Sequence, residues 1–165
     1  MEYSIKNIKV HRGHEGEPLT QCTLYRGEKR VALYSDGDWG GAARFHWLDI
    51  KEKRIEIARF DDDGNPWTFK GTEEEASLWE HISGMTWKGY SDQDLSMDPD
   101  IFVGQLIEVA ELKKGCKNKV HFRIPDEKYE DGVYHTIKGK YEPRIKKYLV
   151  DKYGPKVEIL NEQFI

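Results

Sequence analysis

Along its first sixty positions the chain alternates between apolar and polar side chains. Ile8 and Val10 alternate with polar neighbours in SIKNIKVHR, and Cys22 and Leu24 do so in LTQCTLYR. Val31 and Leu33 stand opposite Ala32 and Tyr34 in RVALYS. Phe45 and Trp47 alternate with Arg44 and His46, and Ile55 and Ile57 with Arg54 and Glu56. A period of two with one polar face is the pattern of an antiparallel sheet covered on one side. Gly27-Glu28 between two of these runs suits a two-residue hairpin with glycine first. Asp63-Gly64-Asn65-Pro66 closes the series with turn chemistry. The pattern predicts an N-terminal antiparallel meander of about five strands.

The period then changes. Thr72 with Glu75 three residues on forms a capping box, and Glu73 to Glu75 suit the positive end of a helix dipole. Ala76, Trp79 and Ile82 share a face before Gly84 stops the run. Asp98-Pro99 opens a second helix, apolar at Phe102, Val103, Leu106, Ile107, Val109 and Ala110 and closed by Lys113, Lys114 and Gly115. That width of apolar surface predicts a largely buried helix packed on the sheet. KVHFRI reads as a strand and KVEIL as a short final one. Between them Pro143 starts a third helix, with Ile145, Tyr148, Leu149 and Tyr153 on its buried stripe and a stop at Gly154-Pro155. Sheet first and helices afterwards make this an α+β chain, the meander packed against two to three helices with short C-terminal strands. It reads as a single compact domain over 1–165, mainly β over 1–70 and mainly helical with short strands over 71–165.

Composition supports a folded, very polar body: 38% of residues are hydrophobic, enough for a core, and 34% are charged. No apolar run spans a bilayer and no signal-peptide grammar opens the chain, so a soluble cytoplasmic protein without membrane contact is expected. Cys22 and Cys116 have no partner spacing; Cys22 reads as a core hydrophobe and both as reduced thiols.

Charge adds what the pattern does not. From Asp61 to Glu111 there are thirteen acids against Lys70 and Lys88, a net of −11, and from Lys113 to Lys156 thirteen bases against six acids, a net of +7. The whole-chain value of −4 hides that polarity, which concerns fields and partners rather than fold. SDQDLSMDPD offers Asp92, Asp94, Asp98 and Asp100 as an acidic surface able to imitate a phosphate backbone toward a protein partner. If so, the four are exposed together, and lysine at positions 94 and 100 leaves the fold's stability unchanged. Lys138, Lys140, Arg144 and Lys147, with Lys146 and interleaved tyrosines, are the alternative: a surface for nucleic acid.

Candidate chemistry is sparse. His11, His14 and Glu15 come close together in HRGHE, and Asp36 or Asp38 could join them as ligands of a metal-dependent hydrolase, but the segment reads better as a solvated loop. DDDGN resembles part of a calcium loop, yet Pro66-Trp67 replaces the remainder, so it reads as a tight turn. SDGDWGG sets Asp36, Asp38 and Trp39 among glycines between two strands, a candidate contact loop. No Ser-His-Asp or Cys-His arrangement emerges, and neither catalytic residues nor a cofactor are implied.

HRGHEGEPLTQCTLYRGEKRVALYSDGDWGG and KVHFRIPDEKYEDGVYHTIKGKYEPRIKKYLVDKYGPKVEILNEQF resemble a group of short uncharacterised proteins encoded on bacterial phages, plasmids and integrated elements. The shared motifs are the glycine-flanked acidic loop, DGVYH, KYG and the terminal EILNE. The resemblance implies a genomic neighbourhood and carries no functional residue. Together these readings point to a non-enzymatic accessory protein that binds a protein partner, with an acidic inhibitor of a host nucleic-acid-binding or defence protein as its sharpest form. Oligomeric state is left open.

Overall fold

The computed structural model describes residues 2–37, 42–89, 91–129 and 133–165. The first four strands, β1 (Tyr3–Arg12), β2 (Pro18–Arg26), β3 (Lys29–Asp36) and β4 (Arg44–Trp47), pair in that order as an antiparallel meander. Arg26 pairs with Lys29 across Gly27-Glu28, and Gly27 takes φ 62°, as a hairpin turn with glycine first requires. The fifth apolar run, β5 (Ile55–Phe60), does not extend the meander. It pairs instead with β6 (Pro66–Gly71) in a hairpin of its own, and Asp61-to-Asn65 is the turn between them. There Asp61 accepts from the Asn65 side-chain Nδ2 at 3.0 Å, from the Asn65 amide at 2.7 Å and from the Asp63 amide at 3.0 Å, which together hold its carboxyl below the usual range.

Helix α1 (Glu73–Ile82) starts where the capping box lies: Thr72 Oγ1 accepts from the Glu75 amide at 3.1 Å. The short strands β7 (Thr86–Lys88) and β8 (Asp94–Ser96) form a second hairpin, followed by α2 (Pro99–Gly115), whose first turn Asp98 caps by accepting from the Ile101 amide at 2.8 Å. Then come β9 (Lys119–Arg123), β10 (His135–Lys138), α3 (Pro143–Tyr153), β11 (Glu158–Ile159) and a 3₁₀ turn over Leu160–Phe164; the three strands pair in the order β10-β9-β11. The chain is α+β, with antiparallel pairing throughout the described sheets.

Two compact units divide the chain, Met1–Ile107 and Glu108–Ile165, with the boundary inside α2. The core of the first gathers Cys22, Leu24, Ala32, Tyr34 and Trp47 from the inner face of the meander, Leu78 and Ile82 from α1, and Val103 and Ile107 from α2. Complete burial of each such aliphatic side chain contributes roughly 1.5–3 kcal/mol. Phe102 and Leu106 pack on this core, as the apolar stripe predicted. The helix is less buried than its width suggested, because Val109 is 49% exposed.

Glu74 and Asp49 are the buried carboxylates among the described residues of this unit, and Glu74 carries the ion pairs. Its carboxylate accepts from Arg26 Nε at 2.8 Å and Lys29 Nζ at 2.6 Å, while its own amide donates to Asp49 Oδ2 at 3.1 Å. The Arg26 hydrogen bond, aided by Lys29, holds its carboxyl below the usual range although burial opposes the shift.

The second unit is built on Val120, Phe122, Leu149 and Ile159, with Ile145 and Tyr153 packed against them. Tyr148 leaves the stripe assigned to it: it is 50% exposed and accepts from Lys152 Nζ at 3.1 Å. Asn161 ties the 3₁₀ turn to β9, donating to the Lys119 carbonyl at 2.9 Å and accepting from the His121 amide at 2.7 Å. The His121 ring is buried edge-on against Tyr134.

Candidate functional site

Because facing residues in an antiparallel pair share a side of the sheet, the register of the meander sorts its side chains. The inner rows are Ile5–Leu24–Ala32–Trp47 and Cys22–Tyr34–Phe45. The outer rows are Ser4–Tyr25–Arg30, Lys6–Thr23–Leu33–His46 and Lys9–Gln21–Ser35–Arg44, ending with His11–Leu19. Every charged side chain in these outer rows is basic: Lys6, Lys9, Arg30 and Arg44, with His11 and His46 beside them. The first unit as a whole holds thirteen Lys or Arg against twenty Asp or Glu, a net of −7, so these rows of described residues, with no acid among them, are a local reversal of sign.

Two irregularities produce this sorting. Between Lys6 and Lys9 one extra residue enters β1, with Asn7 at φ 57°, and the insertion brings two lysines at an odd spacing onto one face. Between Leu24 and Tyr25 the register shifts again, so that Val31 and Ala32 both turn inward, 1% and 0% exposed. Plain alternation puts Val31 on one face with Leu33. The bulge separates them, leaving Leu33 outward and 43% exposed.

The outer face is open except at Thr23, which is buried. Lys6, Lys9, Gln21, Arg44 and His46 are exposed, and a groove of about 680 Å³ runs over it, bounded by Lys9 on one side and Arg44 and His46 on the other, with Gln21 and Leu33 on its floor. The Lys6 ammonium lies 4.6 Å from the centre of the Tyr25 ring, a cation–π contact that positions it. In the two central rows Lys6 and Lys9 stand on β1 and Arg44 on β4, with His46 beside Arg44, whereas the inner strands β2 and β3 contribute neutral Gln21, Thr23, Leu33 and Ser35.

The four aspartates of the acidic tract do not form one free surface. Asp92 is exposed, with φ 56°, and Asp94 is exposed and paired with Lys88 at 2.8 Å. Asp98 and Asp100 are half-buried: the first caps α2, and the second accepts from the Tyr34 hydroxyl at 2.7 Å. Asp38 and Trp39 of the glycine loop lie outside the described residues; Asp36 pairs in register with Thr20 on the inner side of the sheet. His11 pairs with Leu19 on the outer side, so His11 and Asp36 face opposite ways and do not share ligand duty. Among the described residues no three His, Cys, Asp or Glu converge as metal ligands.

In the second unit Lys138, Lys140, Arg144 and Lys147 are all exposed, but this surface is partly neutralised within itself. Arg144 pairs with Glu142 and Lys146 with Glu162, each at 2.8 Å, and Tyr141 also donates to Glu162. Among the described residues no helix is long and apolar enough to cross a membrane. No family model, curated protein or solved structure matches the chain.

Proposed function

We propose that this protein acts by binding a polyanion on the outer face of its four-stranded sheet. The observation that carries the reading is the charge of that face: Lys6, Lys9, Arg30 and Arg44 with no carboxylate in their rows, inside a unit of net −7. Like charges held together without counter-charges repel one another, and an anionic ligand relieves that repulsion. The reading keeps a binding role and moves the contact from the acidic tract, where Asp98 and Asp100 are engaged within their own unit. The free thiols Cys22 and Cys116 suit a reducing compartment, which favours action in the cytoplasm.

Titration with inorganic polyphosphate at increasing salt tests the proposal. Affinity is expected to fall linearly in log–log coordinates, and Lys6→Gln with Lys9→Gln and Arg44→Gln to flatten the slope by about 2, three contacts at ~0.7 each for a single-stranded polyanion. An unchanged slope, or loss of binding only on Lys138→Gln with Lys140→Gln and Lys147→Gln, would place the contact elsewhere and refute it.

A further inference from the structure

The distribution of polar and apolar groups on the outer face says more than its net charge. A site for bare phosphate has no use for apolar surface, yet Leu33 stands 43% exposed at the centre of this one. Its cross-strand neighbours are Thr23 and His46, and the adjoining row supplies Gln21 and Ser35. In its two central rows the face therefore has cations at its margins, Lys6 and Lys9 on β1 and Arg44 on β4, and between them an uncharged strip on β2 and β3 that His46 of β4 extends. Strands lie about 4.8 Å apart, so the margins are separated by roughly 14 Å of sheet. The strip offers an aliphatic contact, an imidazole ring, an amide that both donates and accepts, and a hydroxyl.

Resting on the polyanion reading above, we infer that the ligand is a single-stranded nucleic acid whose unpaired bases lie on the Leu33–His46 strip while its phosphates meet Lys6, Lys9 and Arg44. The base faces cover Leu33 and stack on His46, and Gln21 and Ser35 hydrogen-bond to base edges. Unstacked bases splayed on a protein surface are read in this way, by ring contact and edge hydrogen bonds. A duplex presents phosphates but keeps its base faces stacked internally, so it cannot cover Leu33. An inorganic polyphosphate has nothing to place there.

The test is fluorescence anisotropy with labelled oligo-dT, oligo-rU, a duplex of the same length and polyphosphate, on the full chain at one salt concentration. At least one single strand is expected to bind tenfold or more tightly than duplex and polyphosphate at equal phosphate, and the two oligonucleotides separate DNA from RNA. Leu33→Ser and, independently, His46→Ala should each weaken single-strand binding about tenfold and leave polyphosphate binding unchanged. Leu33 and His46 are both exposed, so the fold tolerates these changes. Equal affinity for all four probes, with both variants silent, would overturn the base-reading inference while leaving the polyanion proposal standing. Absence of salt-dependent binding to any probe would overturn both.

Discussion

Tyr34 of β3 donates its hydroxyl to Asp100 of α2 at 2.7 Å, linking the inner face of the meander to the first turn of the helix packed on it. Burial, reinforced by the Asp100 carboxylate, pushes the Tyr34 hydroxyl far above the ordinary tyrosine range, so it remains a donor. A hydrogen bond to a charged acceptor contributes about 1.5–3 kcal/mol. Asp100→Asn should accordingly lower unfolding free energy by about 2 kcal/mol in urea titrations. Asp94→Asn, which removes only the exposed pair with Lys88, should change it by ~0–1 kcal/mol. Lysine at position 100 is therefore not neutral for stability, contrary to the sequence-based expectation. Equal effects at the two positions would contradict this account.

Glu74 predicts an acid limb. Its folded-state pKa is depressed below the ordinary 4.5, so its contribution is complete above that value and is lost as pH falls through the depressed one. Glu74→Gln is expected to cost roughly 2 kcal/mol near neutrality. That is less than the ~3–5 kcal/mol of a fully enclosed pair, because Lys29 reaches solvent. The cost should shrink as pH falls below the ordinary 4.5 and through the depressed folded-state value, where Glu74 itself becomes protonated. A pH-independent difference between variant and parent would rule out the ion pair as its source.

His121 acts at milder acidity. Burial lowers its pKa from the ordinary 6.5, helped by Lys119 and opposed by the Gly115 backbone. The neutral ring is favoured in the fold, so stability is complete above 6.5 and declines as pH drops below it, by at most ~1.4 kcal/mol per pH unit. Thermal melts between pH 7 and 5 should show this decline in the parent and a flatter profile in His121→Leu. Identical profiles would mean that His121 is not the group responsible.

Gly115, at the end of α2, is held to glycine by the same ring. A Cβ there would lie 2.7 Å from His121 Nε2. Alanine is worth up to ~1 kcal/mol in a helix, but overpacking a buried site costs about 1–3 kcal/mol, and the ring is enclosed. Gly115→Ala should thus destabilise, and the loss should disappear when it is combined with His121→Ala. Additive effects in that double-mutant cycle would show the two residues to be uncoupled.

Local signals carried much of the fold. Thr72 and Glu75, and Asp98 with Pro99, mark helix starts because a cap is a contact within one turn. What the sequence concealed depends on register. Lys6 and Lys9, three apart, alternate onto opposite faces in any regular strand, and only the extra residue at Asn7 reunites them. Alternation alone puts Val31 with Leu33 for the same reason, since a bulge leaves no clear mark in the order of apolar residues. Glu74 looked like a dipole-facing acid, and its partners Arg26 and Lys29 lie 48 and 45 residues away. The outer face did have a trace in the sequence: the polar positions alternating with Cys22, Tyr34 and Phe45 are neutral or basic and never acidic.

The Asn7 insertion also governs what the sheet does at its border. Among the described residues β1 pairs only with β2, so its other side is a sheet edge whose backbone donors and acceptors pair with no described strand. A left-handed residue in mid-strand bends that edge and breaks its rhythm, a device that discourages stacking of one molecule onto the next. Removing Asn7 would restore plain alternation and leave Lys6 and Lys9 side by side, with the ligand face chemically intact. The straightened border should then recruit a second chain, and light scattering of the deletion variant at rising concentration should report growth into larger assemblies while the parent does not change size.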